Sequence, residues 1–328
     1  MEDLIQQVDI SNFKSLKNTT IKGCRRINLF IGRPNVGKSN ILEALSLFTV
    51  PYLYFNKNKS LNQLVRCESA TELFYSGQFE DSAYVETSRG SVTLMWDRLQ
   101  GLDMKFLSHN RDMEHYYFDG NLNLKKNRTA PKWLPPIRKY TFSPDPPKAG
   151  NTGTLLLPPF GQNLIQIIDQ SPELYEEISA LFKEYKLELT FDRASQSLKI
   201  LKRNKDSIFL IPYKSIADTL QRIIFFKTAI ANNKNALLLF EEPEAHSFPP
   251  YITQITQEMI FNQTNQYFIA THSPFILNDL MENAREELAV YMVSYKNHET
   301  KVKLLSDKTL HEIYQSGVDV FTNSELFV

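Results

Sequence analysis

The sequence predicts an α/β fold on a mostly parallel core sheet, with an antiparallel β lobe and a helical and loop insertion. Three apolar runs carry this expectation. The first, Ile27-Asn28-Leu29-Phe30-Ile31, passes through the octapeptide Gly32-Arg33-Pro34-Asn35-Val36-Gly37-Lys38-Ser39 into helix-spaced Ile41, Leu42 and Leu45. The second, Ala236-Leu237-Leu238-Leu239-Phe240, ends in Glu241-Glu242. The third, Gln266-Tyr267-Phe268-Ile269-Ala270, ends in Thr271-His272-Ser273-Pro274. Tyr251, Ile252, Ile255, Met259 and Ile260 form a helical stripe between the last two, so that unit reads strand, helix, strand. Such a crossover makes the strands parallel, and the loops at their carboxyl ends then face one crevice.

The octapeptide fits G-x-x-x-x-G-K-[ST], a phosphate-binding P-loop. Glycines leave the backbone N–H groups free to wrap a phosphate, and the helix N-terminus adds a positive dipole end. Lys38 is expected to reach the β- and γ-phosphates, with the Ser39 hydroxyl on Mg²⁺. Two adjacent carboxylates at the end of a buried strand suit the same chemistry: one acid holds Mg²⁺ or its water shell, and the next orients the attacking water. His272, at a strand end one crossover away, is read as a γ-phosphate contact.

Composition narrows the alternatives. The chain has 328 residues and balances 37 Lys and Arg against 37 Asp and Glu, so net charge points to neither nucleic acid nor membrane surface as a partner. Cys24 and Cys67 lack metal-ligand spacing and read as small buried residues of a reducing compartment. No apolar run approaches a membrane span, and Met1-Glu2-Asp3-Leu4 is not signal-like, so a soluble, cytoplasmic protein is expected.

In chain order, the alternation of 5–10 and a strand near Thr20-Ile21 predict a hairpin leading into the P-loop strand. Residues 51–62 show no clear period, and 78–96 read as an antiparallel hairpin around Ser88-Arg89-Gly90-Ser91. The proline-rich stretch 121–159 reads as irregular. Within it Lys125, Lys126, Arg128, Lys132, Arg138, Lys139 and Lys148, with Trp133 and Tyr140, form a basic loop over 125–148, either a solvated segment or a nucleic-acid contact. Helices follow from Asn163 and from Ser171-Pro172-Glu173. A strand pair over 187–201 turns around Ala194-Ser195-Gln196, and a helix carries Leu220, Ile223, Ile224, Phe226 and Ala229-Ile230. After His272 the sequence predicts an edge strand pair at 289–295 and 301–305 and a short helix near 310–314.

Taken together, residues 32–40, 237–243 and Thr271-His272-Ser273-Pro274 resemble the ATPase heads of the ABC superfamily, in the branch of RecF, SMC and OLD proteins. Asn12-Phe13-Lys14-Ser15-Leu16, Asn40, Glu43-Ala44 and Glu242-Pro243-Glu244-Ala245-His246 are similar to that branch rather than to transporters. The resemblance implies one head over 1–328: a P-loop lobe start at 1–50, a β lobe and irregular insertion at 51–210, and a lobe with signature, Walker B and switch histidine at 211–328. It implies ATP and Mg²⁺ as cofactors, Asn35, Gly37, Lys38, Ser39 and Asn40 on the nucleotide, Ser39 and Glu241 on the metal, Glu242 as catalytic base and His272 as switch histidine. It also implies a homodimer closed head to tail on two nucleotides.

Two positions depart from the pattern. Glu241 stands where Walker B usually has Asp, lengthening the metal arm by one methylene. In Lys214-Ser215-Ile216-Ala217, at the place of the signature motif, Ser215 is kept as a γ-phosphate contact across the dimer or a plain helix N-cap, and Ala217 replaces the expected Gly, which is harmless only if φ is negative. Gln162 is the candidate for the family's Q-loop. No heptads run between 60 and 213, unlike SMC arms, and fewer than about sixty residues follow His272, where an OLD-type protein carries a Toprim nuclease, so no nuclease site is expected. The function so implied is an ATP-hydrolysing dimer switch beside a separate effector, as in bacterial anti-phage or toxin–antitoxin-like systems. The rivals are a RecF-like DNA-repair ATPase and a nucleotide-binding scaffold with little turnover.

Overall fold

The computed structural model describes residues 4–110, 112–125, 130–146, 153–195, 197–205, 207–317, 319–323, 325 and 327. Its centre is a six-stranded sheet of order β15-β14-β3-β13-β12-β8. The strands are β3 (Ile27–Ile31), β8 (Ile137–Tyr140), β12 (Leu237–Glu241), β13 (Gln266–Ala270), β14 (Leu288–Lys296) and β15 (Glu299–Leu304). All neighbours pair in parallel except β15, which pairs antiparallel with β14. Alternate residues along each strand separate two cores. Phe30, Leu237, Leu239, Phe268 and Tyr291 face one, while Ile27, Leu29, Ile31, Leu238, Phe240, Tyr267 and Ile269 face the other. Both faces being covered explains why these strands read as unbroken apolar runs.

The first core closes beneath α1 (Lys38–Ser46) and a second six-stranded sheet of order β2-β1-β4-β5-β6-β7. That antiparallel sheet comprises β1 (Gln7–Phe13), β2 (Leu16–Lys22), β4 (Ala83–Thr87), β5 (Gly90–Asp97), β6 (Gly101–Ser108) and β7 (Met113–Phe118). The two predicted hairpins thus join one sheet, to which β6 and β7 add strands that the sequence reading did not name. The second core packs under α2 (Leu164–Gln170), α3 (Pro172–Lys183), α4 (Asp218–Asn232), α5 (Pro249–Phe261) and α6 (Pro274–Asn283), with α7 (Asp307–Ser316) beyond them. No helix among the described residues is long and apolar enough to cross a membrane.

Three expectations are corrected. The expected strand pair over 187–201 is a three-stranded sheet, β9 (Glu188–Asp192), β10 (Ser197–Asn204) and β11 (Ser207–Pro212), with β11 at one edge; Gln196 lies outside the described residues. Of the pair after His272, only β15 is an edge; β14 is interior, between β15 and β3. The basic stretch is not one loop, because Arg138, Lys139 and Tyr140 belong to β8. Lys139 and Tyr140 are buried, and Arg138 donates Nε–H to the Tyr52 hydroxyl at 2.7 Å, so these residues serve the interior rather than an external polyanion. Lys126, Arg128 and Lys148 lie outside the described residues.

Candidate functional site

Strand register brings the site together. Phe30 on β3 and Glu241 on β12 each pair with Ala270 on β13, so the three strands end side by side. The P-loop, the acid pair and Thr271-His272 leave from those ends. Helix α1 then packs across β13, β12 and β8, which carries the P-loop residues over the acids.

The loop is shaped by its glycines. Gly37 has φ +100°, and a Cβ there would lie 2.0 Å from Thr300 Oγ1 and 2.8 Å from Ser15 Oγ. Thr300 also donates to the Val36 carbonyl at 2.9 Å, so β15 and the β1–β2 turn hold the loop from behind. Asn35 takes φ 60°, a left-handed conformation that Asn tolerates. Among the described residues no protein acceptor takes the backbone N–H groups of 37–39, the orphan donors at the start of α1. A loop so constructed suits an anion such as phosphate.

Lys38 is buried, and its ammonium donates to the Gly32 carbonyl at 2.9 Å and the Arg33 carbonyl at 2.7 Å. Burial lowers its pKa to about 8, against the opposing pull of the Glu242 carboxylate. The Ser39 hydroxyl lies close enough to the Glu241 carboxyl to favour its charged form. Burial pushes that carboxyl up, but Lys139, Ser39 and Arg66 outweigh it and hold Glu241 below the ordinary carboxylate range.

Glu242 continues the ladder, its N–H donating to the Ala270 carbonyl at 2.8 Å, and then turns with φ 44°. A left-handed glutamate costs about 1 kcal/mol or more. The turn ends β12 at this point and leaves Glu242 exposed, whereas Glu241 stays against Ser39. His272 Nε2 lies 3.8 Å from Glu242 Oε1. Burial lowers the imidazole pKa, reinforced by the Lys38 charge and opposed by Glu242, so the ring is mostly neutral at pH 7. Glu244 supports this corner: its Oε1 accepts from Thr271 Oγ1 at 2.6 Å and from the His272 N–H at 3.0 Å. Burial raises the Glu244 carboxyl, which the Thr271 hydrogen bond opposes.

Lys38, Ser39, Glu241, Glu242 and His272 therefore converge. Asn40 does not turn to the cradle; its amide donates to Ser15 Oγ at 2.7 Å and ties α1 to the β1–β2 turn. Ser215 is exposed at the end of a 3₁₀ turn, and among the described residues no hydrogen bond or ion pair joins it to the cluster. The N-cap of α4 is Ala217, not Ser215, and its φ of −52° suits alanine, so the departure from Gly costs nothing here. Among the described residues, neither amide atom of the buried Gln162 side chain finds a hydrogen-bond partner.

Sequence reasoning missed the cations beside the acids. Lys139 Nζ lies 3.5 Å from Glu241 Oε2, and Arg66 bridges Glu241 and the buried Glu43. Lys14 pairs with Glu43 from the other side. Asn12-Phe13-Lys14-Ser15 and Glu43-Ala44 were local signals for two of these residues; nothing local marks Arg66 or Lys139.

The model of a family described as an AAA ATPase domain matches residues 4–207. A protein of Helicobacter pylori (strain ATCC 700392 / 26695) described as an ATP/GTP phosphatase is 39% identical over 71 residues, which are 22% of this chain and 16% of that protein. The match thus spans well under two thirds of that relative. Among solved structures, an SMC head bound to the C-terminal winged-helix domain of ScpA aligns with TM-score 0.50 and 15% identity, over 93% of this chain and 98% of that one. The SMC head domain from Thermotoga maritima aligns with TM-score 0.45 and 12% identity, over 93% and 100%. The first of these shows a shared P-loop ATPase fold of the SMC-head kind. With a family model spanning more than half of its length, the chain belongs to the AAA ATPase domain family.

Proposed function

We propose that this chain binds ATP with Mg²⁺, hydrolyses it, and uses the cycle as a switch in which two copies close head to tail on two nucleotides. One observation carries the reading: a P-loop lysine and serine, two consecutive glutamates and a histidine, distant in sequence, meet at the ends of three adjacent strands. Bound nucleotide and metal would supply the γ-phosphate and its charge neutralisation, with Ser39 and Glu241 as the side chains suited to the metal and the 37–39 amides suited to the phosphates.

The chain's own residues do the rest. Lys38 exchanges the Gly32 and Arg33 carbonyls for phosphate oxygens, which restores full charge to an ammonium now weakened by burial. Glu242, exposed at a left-handed turn, orients a water and accepts its proton. Neutral His272 donates or accepts at the same water or phosphate, its backbone held by Glu244. Ser215, exposed ahead of α4, is the residue offered to a partner's nucleotide. A separate effector, in a bacterial defence setting, rests on family resemblance alone.

The test is phosphate release by the native chain and by Glu242→Gln, with mass measured in ATP and Mg²⁺. Release should fall by about a hundredfold or more, as for loss of a general base, while the variant accumulates as an ATP-dependent dimer. Equal release from both proteins, or no change in mass, would remove Glu242 from the chemistry and the dimer from the cycle.

A further inference from the structure

The acid assigned to the metal already has two protein cations on it. Arg66 reaches one oxygen of Glu241, and Lys139 Nζ lies 3.5 Å from the other. These partners differ in freedom. The Lys139 side chain is 6% exposed and its ammonium is further tied to the Leu64 carbonyl at 2.9 Å, whereas the Arg66 side chain is 68% exposed.

Arg66 is nevertheless anchored at its base. Its N–H donates to Glu43 Oε1 at 3.2 Å, its Nε–H donates to the same oxygen at 3.0 Å, and its carbonyl accepts from Lys14 Nζ at 2.6 Å. Glu43 is 1% exposed, so this anchor is sheltered from water and salt. Only the outer edge of the guanidinium, the part on Glu241, is free to leave. Around the acid pair, Lys14, Lys38, Arg66 and Lys139 oppose Glu43, Glu241, Glu242 and Glu244, which leaves no net negative charge to attract a bare divalent cation.

We infer that Arg66 is a positioning residue that occupies one carboxylate oxygen of Glu241, so that a divalent cation enters only with a nucleotide, whose phosphates supply the missing negative charge and release the guanidinium. This rests on the reading of Glu241 as the metal acid. It gives Arg66 a task distinct from catalysis: excluding free metal and keeping Glu241 aligned with Ser39 until nucleotide arrives.

The probe is Mn²⁺ without nucleotide, its binding followed by electron paramagnetic resonance. Arg66→Ala should bind Mn²⁺ at least tenfold more tightly than the native chain, and adding Glu241→Gln should return it to the native level. Arg203→Ala, which removes a charge paired with Glu188 in the β9–β10–β11 sheet, should stay within twofold of native. Arg66→Gln, which keeps a donor for Glu43, repeats the measurement should the alanine variant fold poorly. Equal Mn²⁺ affinity in the native chain and either Arg66 variant overturns the inference, as does tight binding that survives Glu241→Gln. Binding of a fluorescent ATP analogue by the native chain is scored separately: its absence would defeat the ATPase reading, while the Mn²⁺ series still decides whether Arg66 blocks Glu241.

Discussion

Two regions of this molecule use the same ion-pair chemistry to different ends. In the β9–β10–β11 sheet, Arg203 pairs with Glu188 at 2.7 Å and Lys199 pairs with Asp192 at 2.5 Å, on side chains that face solvent or its margin. At the rim of the parallel sheet, Glu43 and Lys139 are almost wholly buried, and their partners Lys14, Arg66 and Glu241 close a network around them. Water screens the first set, so each pair adds little. The second set has lost its water, and removing one member leaves a charge with nothing to replace it. The contrast teaches that the rim is held in readiness by charge, whereas the outer sheet is held by its ladder and by apolar contacts of Leu189, Leu198 and Ile200.

The largest expected effect breaks the rim at its centre. Lys38→Ala should weaken binding of a fluorescent ATP analogue by about a hundredfold, the worth of roughly 3 kcal/mol in charge-assisted hydrogen bonds, and titration against native protein measures it. Next is the buried anchor: Glu43→Gln strands Lys14 and loosens Arg66, and should lower unfolding free energy by about 3 kcal/mol in a urea titration.

A smaller effect sharpens the electrostatic account. With the Lys38 pKa lowered to about 8 by burial, the free protein carries a charged lysine below pH 8 and an increasingly neutral one above it. Phosphate favours the charged form. Analogue affinity should therefore hold steady from pH 6.5 to 7.5 and fall several-fold by pH 9, with proton uptake on binding near pH 8.5. Affinity that is flat to pH 9 would place the lysine in a wetter setting than the one described. The smallest effect completes the comparison: Arg203→Ala, in the outer sheet, should leave both melting temperature and phosphate release unchanged within error.

Much of the site was legible because its chemistry is local. The spacing of Gly32, Gly37, Lys38 and Ser39 specifies a loop that can wrap an anion, and the runs ending at Glu241 and His272 specify strands whose tips are polar. The parallel sheet followed from the crossover between them. Strand β8 was not legible, because four residues between prolines and a basic stretch carry no period of their own. Its pairing with β12 is imposed by that neighbour's free edge.

By itself, then, the sequence determined what depends on near neighbours: the cradle, the acid pair, the histidine and the strand–helix–strand order. Only the tertiary structure decided which charges meet. Lys139 lies far along the chain from Glu241, and Arg66 farther still on the same side, yet both reach its carboxylate once β8 and β12 pair and α1 packs above them. It likewise decided that Ala217 takes a negative φ and that Asn40 turns to Ser15. The physical reason is range. Backbone propensity and hydrophobic period act over a few residues, whereas an ion pair acquires its strength from the low-dielectric surroundings that only the packed fold creates.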